Sequence, residues 1–384
     1  MKKILLLFSC LLAVAVSFAQ QGYTLKIKLS NYKKYKPWLV YMDGEKREAD
    51  SAFTVEKGYL VMRGKVSEPV IAYFSLKGNP SLEAVVDGQV LTAPYLSFVL
   101  SNEEIIIRGD ANAIYAASVR GGKGNQEWAA IRPQQARVDH ATWRAIRDSA
   151  AAYESGSGFR KVANKIYGAK AKEQRALENE FTARYPNAIL SMYYLYRTHV
   201  FMEFDTLKQA FGKMGPDARQ SWYGRFVAAK IASQEATSVG KAAIDLRKKD
   251  AHGNEVSLAT LKGRYVLLDF WGTWCHPCRA SHPHLKELYE KYKPEGLEIV
   301  GIASENGADL EKNRKGWLAA IEQDGIHWVN VLNNEGIEAF DAVNAYGIVA
   351  FPTKILLDKE GRIIGRWIGS SEELDAKLKE VFGK

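Results

Sequence analysis

The spacing of hydrophobic residues changes twice along the chain and divides it into three regions. From Tyr23 to about Ala113, short runs such as "YTLKIKLS" alternate apolar and polar positions, and turn sequences such as "MDGE" and "VDGQ" separate the runs. A period of two is typical of strands with one buried face. The sequence therefore predicts a small antiparallel β domain over residues 20–120.

The second region begins at the glycine-rich stretch "RGGKGNQE", after which apolar residues recur at spacings of three and four. Trp222, Phe226 and Ala229 follow this spacing behind Pro216, a residue that suits the first turn of a helix. The pattern predicts a helical segment over residues 121–238, in which the aromatic stripes face a core.

In the third region, "RYVLLDFW" and "LEIVGIAS" carry few charges, as central strands that are buried on both faces do. A helical pattern follows each of them, and "KILLD" and "IIGRWIG" read as two strands joined at "KEGR" before a last helix. Strands that alternate with helices and end in a hairpin predict an α/β sandwich, with a mixed sheet flanked by helices. We assign this domain to residues 239–384.

The N-terminus has the pattern of a secretory signal peptide over residues 1–19. It has a basic start, an apolar run from Ile4 to Val16, and small residues before a cleavage position after Ala19. The apolar run is shorter than a membrane-spanning helix requires. Cys10 lies early in that run, so cleavage and export are favoured over lipid anchoring at Cys10. We therefore expect the mature protein in the periplasm, an oxidising compartment in which two cysteines can form a disulfide.

The charge distribution argues against a nucleic-acid partner. The formal net charge is +9, with 53 Lys and Arg residues against 44 Asp and Glu residues. The basic residues are scattered, whereas a nucleic-acid-binding protein would show a basic stripe together with a matching motif. A solvated basic surface is the simpler interpretation.

The stretch "FWGTWCHPCRASHPHL" contains the candidate chemistry, because Cys275 and Cys278 stand where a buried strand gives way to a helix. The free N–H groups and the positive dipole end of a helix stabilise a thiolate at its first turn. The second cysteine lies three residues further on, within reach of the first. This spacing predicts a cycle in which Cys275 attacks a disulfide and Cys278 resolves the mixed disulfide.

Two residues near the cysteines are predicted to assist this chemistry. Asp269 lies in the apolar strand, where burying a carboxylate is costly unless it has a task. We interpret Asp269 as the proton acceptor for Cys278, and the alternative is an aspartate at a strand end that faces water. Pro352 stands just before a strand, a position that indicates an edge, a bulge or a cis bond.

The residues between the cysteines tune the exchange. A partly charged imidazole at His276 would favour the thiolate of Cys275 and make the disulfide more oxidising. Pro277 has no N–H to leave unsatisfied, and its fixed φ suits the first helical turn.

Residues 239–384 resemble the TlpA/ResA-type thiol:disulfide oxidoreductases, which have a thioredoxin fold. The resemblance rests on "VLLDFWGTWCHPCR", on Pro283 five residues after Cys278, on "FPTKILLD" and on "GRIIGRWIG". It departs from common members at His276, where Gly or Glu is usual. The N-terminal stretch "ADSAFTVEKGYLVMRGKVSEP" is similar to a small β domain of unknown function that precedes thioredoxin modules in exported proteins. We expect this domain to serve docking or spacing.

The resemblance implies a set of site residues and roles. Cys275 would be the exposed nucleophile and Cys278 the resolving thiol. Asp269 would be the buried carboxylate, and Pro352 a cis-proline flanking the disulfide. Further residues implied near the site are a possible additional acid, Glu305, and the redox-tuning residues Trp274, His276 and Pro277.

The expected activity is thiol–disulfide exchange with client proteins that carry disulfides or thiols. The resemblance favours the reducing direction, with a membrane-embedded thiol electron donor. No cofactor is expected beyond the redox-active disulfide Cys275–Cys278, and no metal. Peroxide reduction is disfavoured, because "WGTWCHPC" does not have the family-specific pattern of Pro and Thr that precedes a peroxidatic cysteine.

Two alternatives to an exchange enzyme stay open. One is a thioredoxin-like protein that binds copper or zinc through Cys275, Cys278, His282 and His284, although the two histidines fall on different helix faces. The other is a non-catalytic scaffold, since a fold alone does not establish activity. We expect His282 and His284 to be helix residues without a role in the exchange.

Overall fold

The computed structural model describes residues 22–153, 156–369 and 372–383. The predicted signal peptide over residues 1–19, with Cys10, lies outside the described residues. The described chain divides into two compact units. The first comprises the residues up to Tyr193 together with Gly215–Trp222, and the second comprises Tyr194–Met214 together with the residues from Tyr223 onward.

The strands are β1 Tyr23–Ser30, β2 Lys36–Asp43, β3 Lys46–Asp50, β4 Thr54–Glu56, β5 Tyr59–Gly64, β6 Val70–Lys77, β7 Glu83–Val86, β8 Gln89–Thr92, β9 Leu96–Leu100, β10 Glu104–Asp110, β11 Ser118–Arg120, β12 Arg247–Lys249, β13 Glu255–Ser257, β14 Tyr265–Trp271, β15 Leu297–Ala303, β16 Val329–Leu332, β17 Thr353–Leu357 and β18 Ile363–Ile368. The α-helices are α1 Lys123–Trp128, α2 Arg132–Ala152, α3 Gly156–Arg184, α4 Ile189–Thr198, α5 Phe204–Gly212, α6 Pro216–Gln220, α7 Trp222–Ala236, α8 His276–Tyr292, α9 Leu310–Asp324, α10 Ala342–Ala345 and α11 Glu372–Phe382. Short 3-10 helices lie at Pro80–Leu82, Ala111–Ala116, His199–Phe201, Leu258–Leu261 and Lys293–Glu295.

The first unit is built on β-sheets that share one hydrophobic core. One sheet has the order β11-β10-β1-β5-β4 and another the order β3-β2-β6-β9, while β7 and β8 form a hairpin. Leu25 of β1 and Phe74 of β6 are fully buried in the same core, so alternate residues of both larger sheets point into it. Trp143 of α2 joins this core and donates from Nε1 to the Ser81 carbonyl at 2.9 Å.

The predicted antiparallel pairing holds in this unit with an exception at β1 and β10. These two strands run parallel, whereas the other pairings between the described strands of the unit are antiparallel. A parallel pair needs a long crossover connection. Here the connection between β1 and β10 contains the second sheet, which the period-two pattern could not indicate.

The second unit contains a five-stranded mixed sheet with the order β16-β15-β14-β17-β18. The pairings of β14 with β15 and of β15 with β16 are parallel, and those of β14 with β17 and of β17 with β18 are antiparallel. Side chains of α8, α9 and α11 pack on one face of the sheet, and α10 with the segment before β14 covers the other. The predicted α/β sandwich is confirmed.

Helices α1 to α7 occupy the region in which the sequence predicts helix. The two compact units divide this region between them, because the boundary within α4 falls after Tyr193. The domain limits at residues 120 and 238 therefore stay a prediction. None of the described helices is both long enough and apolar enough to cross a membrane.

Candidate active site

The two cysteines form a disulfide at the start of α8. Cys275 is the N-cap residue, with φ −89° and ψ 91°, and its Sγ accepts a hydrogen bond from the Cys278 N–H at 3.2 Å. The disulfide spans a Cα–Cα distance of 5.3 Å. The capping sulfur therefore faces the unpaired N–H groups and the positive end of the helix, as the sequence predicts.

The accessibility of Cys275 differs from the expectation. Cys275 is 4% exposed and Cys278 is 1% exposed. The nucleophile that the resemblance implies to be exposed is thus nearly covered in the disulfide form, because both side chains pack into the core beneath α8. Cys275 is still the more accessible of the two. This fits an order in which Cys275 attacks first and Cys278 then resolves the mixed disulfide.

The turn between β14 and α8 is fixed by close contacts that require glycine. A Cβ atom at Gly272 would lie 2.6 Å from Nε1 of Trp274 and 2.8 Å from the Ser304 carbonyl oxygen. Trp274 donates from Nε1 to that same carbonyl at 2.9 Å, while its side chain stays 47% exposed. An ordered aromatic ring therefore stands beside the disulfide and faces solvent.

Glu305 lies after β15 and holds the same turn. Its Oε1 accepts from the Thr273 N–H at 2.9 Å, and its Oε2 accepts from the Thr273 hydroxyl at 2.5 Å. The backbone of Glu305 is in turn paired with the Asn334 side chain at 2.8 and 2.9 Å. Because both carboxylate oxygens are engaged, this geometry suits Glu305 to positioning the turn, whereas the sequence offered it as an additional acid.

The other residues predicted near the site lie in the first turn of α8 or directly before β17. His276 and Pro277 are exposed in the first turn of the helix. The Phe351–Pro352 peptide bond is cis. The ring of Phe351 contacts that of Trp274 edge to face, with ring centroids 5.5 Å apart. The sequence could not show that these two aromatic residues meet.

Asp269 lies in the middle of β14 and is 1% exposed. Its neighbours Leu268 and Phe270 point to the opposite face of the sheet, so Asp269 shares the face of Leu267 and Trp271, whose core contains both cysteines. The alternative of a water-facing aspartate at a strand end is therefore wrong.

A buried lysine that the sequence interpretation missed faces Asp269. Lys354 of β17 is directly opposite Asp269 in the antiparallel register, and its Nζ lies 3.5 Å from Oδ1 of Asp269. Lys354 is 2% exposed, and its Nζ also lies 3.4 Å from the Ser281 hydroxyl. A cation in the otherwise apolar strand "TKILL" was the available signal, because a buried charge needs a partner.

His282 is also buried behind the disulfide. Its Nδ1 lies 2.8 Å from Oδ2 of Asp324, and its Nε2 lies 4.0 Å from Oδ2 of Asp269. Its ring meets Trp271 edge to face at 5.0 Å between centroids. His284, in contrast, is half-exposed and lies 3.0 Å from Asp375.

Asp324, at the end of α9, connects this buried group to the surface. Arg279 binds it with two hydrogen bonds, from Nε at 2.9 Å and from Nη2 at 2.6 Å. The hydrogen bond from Arg279 is the main cause that lowers the pKa of the Asp324 carboxyl, and the hydrogen bond from His282 lowers it further. Asp324 is therefore ionised at neutral pH.

The histidines and cysteines do not converge on a common point. Cys275 is bonded to Cys278, while His282 and His284 bind two different carboxylates. Among residues 22–153, 156–369 and 372–383, no group of three or more His, Cys, Asp or Glu side chains is arranged to hold a metal ion. The four-ligand arrangement of the metal alternative is not formed.

The groups around the disulfide are suited to thiol–disulfide exchange. It places a capping sulfur at a helix N-terminus, a second sulfur behind it, and a buried carboxylate on the same sheet face. A positioned carboxylate can accept the proton that a resolving thiol must lose.

Comparisons with family models match two separate parts of the chain. Residues 239–366 match the model of the AhpC/TSA family, and residues 23–128 match a domain of unknown function, DUF4369. The second match confirms the N-terminal resemblance.

Among curated proteins, the chain is similar to the thiol-disulfide oxidoreductase ResA of Bacillus thuringiensis (strain Al Hakam). The two are 32% identical over 153 residues, which are 39% of this chain and 83% of that protein. Among solved structures, the thioredoxin domain of a thiol-disulfide oxidoreductase from Bacteroides vulgatus is 32% identical, with 38% of this chain and 98% of that chain covered and a TM-score of 0.34. A thiol-disulfide oxidoreductase from Bacteroides fragilis is also 32% identical, with 37% and 99% covered and a TM-score of 0.32.

Proposed function

The chain belongs to the family of ResA-type thiol-disulfide oxidoreductases, and on that premise we propose that it reduces disulfides of exported client proteins with the Cys275–Cys278 pair. The observation that carries the proposal is the position of the pair. Cys275 caps α8, and Cys278 lies behind it in the core that Asp269 also faces. A thiolate at a helix N-terminus is the attacking species that exchange requires.

The reaction transfers two electrons from the dithiol to the client. The Cys275 thiolate attacks one sulfur of the client disulfide, that S–S bond breaks, and the released client thiolate takes a proton from water. Asp269 then accepts the proton of Cys278, and the Cys278 thiolate attacks Sγ of Cys275. The mixed disulfide breaks, the second client thiolate leaves, and the Cys275–Cys278 disulfide forms.

Client binding is assigned to the aromatic rim of the site. Trp274 and Phe351 together offer apolar surface beside Cys275, and Trp274 is held in place by the Ser304 carbonyl. Aromatic side chains of this kind give contact area at a small cost in conformational entropy. Pro352 follows Phe351 directly, so a client segment lying on this rim would pass beside the disulfide.

The proposed location follows from the signal-peptide pattern. The proposed electron donor follows from the need to re-reduce the Cys275–Cys278 disulfide. The signal-peptide pattern over residues 1–19 supports export to the periplasm. In an oxidising compartment a reductase must be re-reduced, and a membrane-embedded thiol donor would supply the electrons. No cofactor takes part beyond the Cys275–Cys278 disulfide. The N-terminal unit would serve docking or spacing.

The activity is tested by the reduction of insulin disulfides in the presence of dithiothreitol. The full chain is expected to accelerate the precipitation of the insulin B chain, and Cys275→Ser is expected to reduce the rate to that of dithiothreitol alone, because the attacking sulfur is gone. Equal rates for the two proteins would contradict an exchange enzyme and favour the scaffold alternative.

The direction of exchange is tested by the equilibrium reduction potential of the pair, measured by thiol trapping in a series of redox buffers. A reductase should have a potential near that of strongly reducing dithiol proteins, roughly −270 mV. A value near roughly −120 mV, typical of strong disulfide donors, would contradict the reducing direction. It would also indicate that His276 controls the pair.

A further inference from the structure

The loop over residues 346–350 is held by α7, a helix that ends before the family match begins. Gln234 of α7 donates from Nε2 to the Gly347 carbonyl at 2.9 Å. The hydroxyl of Thr237, which is fully buried just after the helix, lies 3.2 Å from the Tyr346 carbonyl oxygen. The end of α7 therefore contacts two successive carbonyls of the 346–350 loop.

Arg366 of β18 donates to the same two carbonyls. Its Nη1 lies 2.9 Å from the Tyr346 carbonyl oxygen and 3.3 Å from the Thr237 hydroxyl, and its Nη2 lies 3.2 Å from the Gly347 carbonyl oxygen. Burial lowers the pKa of Arg366 to about 10, so the guanidinium is still charged at neutral pH. Hydrogen bonds from a charged donor are stronger than those from a neutral one. The guanidinium thus joins β18, the 346–350 loop and the end of α7.

The loop and the helix also meet backbone to backbone at Gly347. This residue has a φ of +59°, in the left-handed region that glycine favours. A Cβ atom there would lie 2.8 Å from the backbone nitrogen of Gln234 and 3.2 Å from the Lys230 carbonyl oxygen. The Lys230 ammonium group of α7 also donates to the Asn344 side chain just before the loop, at 2.5 Å. A side chain at Gly347 would therefore push the loop away from α7.

The 346–350 loop leads directly into the aromatic rim of the site. Three residues separate Gly347 from Phe351, whose ring contacts that of Trp274 at 5.5 Å between centroids. The last carbonyl of the loop, that of Ala350, accepts from the Thr353 hydroxyl at 2.7 Å. Because the segment is short and held at both ends, the position of Gly347 limits where Phe351 can lie.

We propose that α7 and Arg366 set the position of the client-binding rim, with Gln234 and Arg366 as positioning residues for exchange with protein clients. The inference deepens the proposed function and rests on it. Both residues act through the carbonyls of Tyr346 and Gly347. While these carbonyls are held, Phe351 is in place before a client arrives. Without them, the client has to order the loop as it binds, which lowers its affinity.

Positioning of the rim differs in its consequences from a contact that only stabilises the fold. A positioned rim matters for a client that is large enough to lie on it, and it does not change how the cysteine pair reacts with a small disulfide. Loss of the contacts should therefore raise KM for a protein client and leave kcat and the reaction with a small disulfide unchanged. A contact that only stabilises the fold would affect both substrates alike.

The inference is tested on the full chain with two disulfide substrates of different size. Initial rates with insulin that carries a self-quenching fluorophore, with dithiothreitol as reductant, give kcat and KM for a protein client. Stopped-flow reaction of the reduced chain with 5,5′-dithiobis(2-nitrobenzoic acid) gives the rate constant for a small disulfide. Gly347→Ala is expected to raise KM for insulin roughly tenfold, because the client must then order part of the loop. Arg366→Met is expected to raise KM as well, and both variants should keep the rate constant for the small disulfide.

The matched control is Arg362→Met, which removes an exposed guanidinium directly before β18 and should alter neither substrate. Gln234→Met removes one donor, keeps the length of the side chain and should raise KM for insulin even if Gly347→Ala does not fold. Unchanged KM in Arg366→Met and Gln234→Met would overturn the proposal. Equal losses on both substrates would also overturn it and would indicate a role in stability alone. If Cys275→Ser retained the insulin activity, the proposed function itself would fail.

Discussion

Replacement of Cys278 by serine is expected to stop the reaction at the mixed disulfide between Cys275 and its client. Cys275 keeps its place at the start of α8, so it can still attack a disulfide. The hydroxyl of serine does not attack sulfur under these conditions, so the client stays covalently attached. Turnover of insulin should therefore fall towards the rate of dithiothreitol alone, because only free dithiothreitol is left to release the trapped client.

The trapped complexes make the prediction directly measurable. Cells that express Cys278→Ser are quenched with acid, and adducts are separated without reductant and identified by mass spectrometry after reduction. Cys275→Ser is the control, since it lacks the attacking sulfur and should give no adducts. Normal turnover in Cys278→Ser, or equal adduct yields in both variants, would contradict the assignment of attack to Cys275 and resolution to Cys278.

Replacement of Asp269 by leucine is expected to destabilise the second unit strongly. It leaves the ammonium group of Lys354 buried, 2% exposed, without the carboxylate that lies 3.5 Å from it. Removing one partner of a buried ion pair typically costs about 3–5 kcal/mol. The additional change Lys354→Met is expected to restore most of the stability, because apolar pairs of similar volume replace buried ion pairs at little cost.

The measurement is hydrogen–deuterium exchange of β14 and β17 amides in increasing urea, on the disulfide form of each variant. A double-mutant cycle then gives the coupling energy between the two residues. Additive effects of Asp269→Leu and Lys354→Met would contradict the ion pair. The double variant should still resolve its mixed disulfide slowly. It regains the stability of the fold, but it still lacks the carboxylate that accepts the proton of Cys278.

The amino-acid sequence was enough to predict the fold class of both parts and a thiol–disulfide exchange activity. Alternation at period two predicted the N-terminal strands, and uncharged β runs followed by helices predicted the mixed sheet. Cys275, Cys278 and Asp269 could be proposed as site residues because their local context is informative. Two cysteines at a strand–helix junction and a carboxylate in an apolar strand are both unusual enough to imply a task.

Which residues these groups contact depends on how the distant parts of the chain pack together. Lys354 meets Asp269 through the register of β14 and β17, and His282 meets Asp324 because α8 packs beside the end of α9. Periodicity tells which face a side chain occupies, but it does not tell which distant residue lies opposite on that face. The partners of a buried charge are set by strand register and helix packing, and these depend on the whole chain.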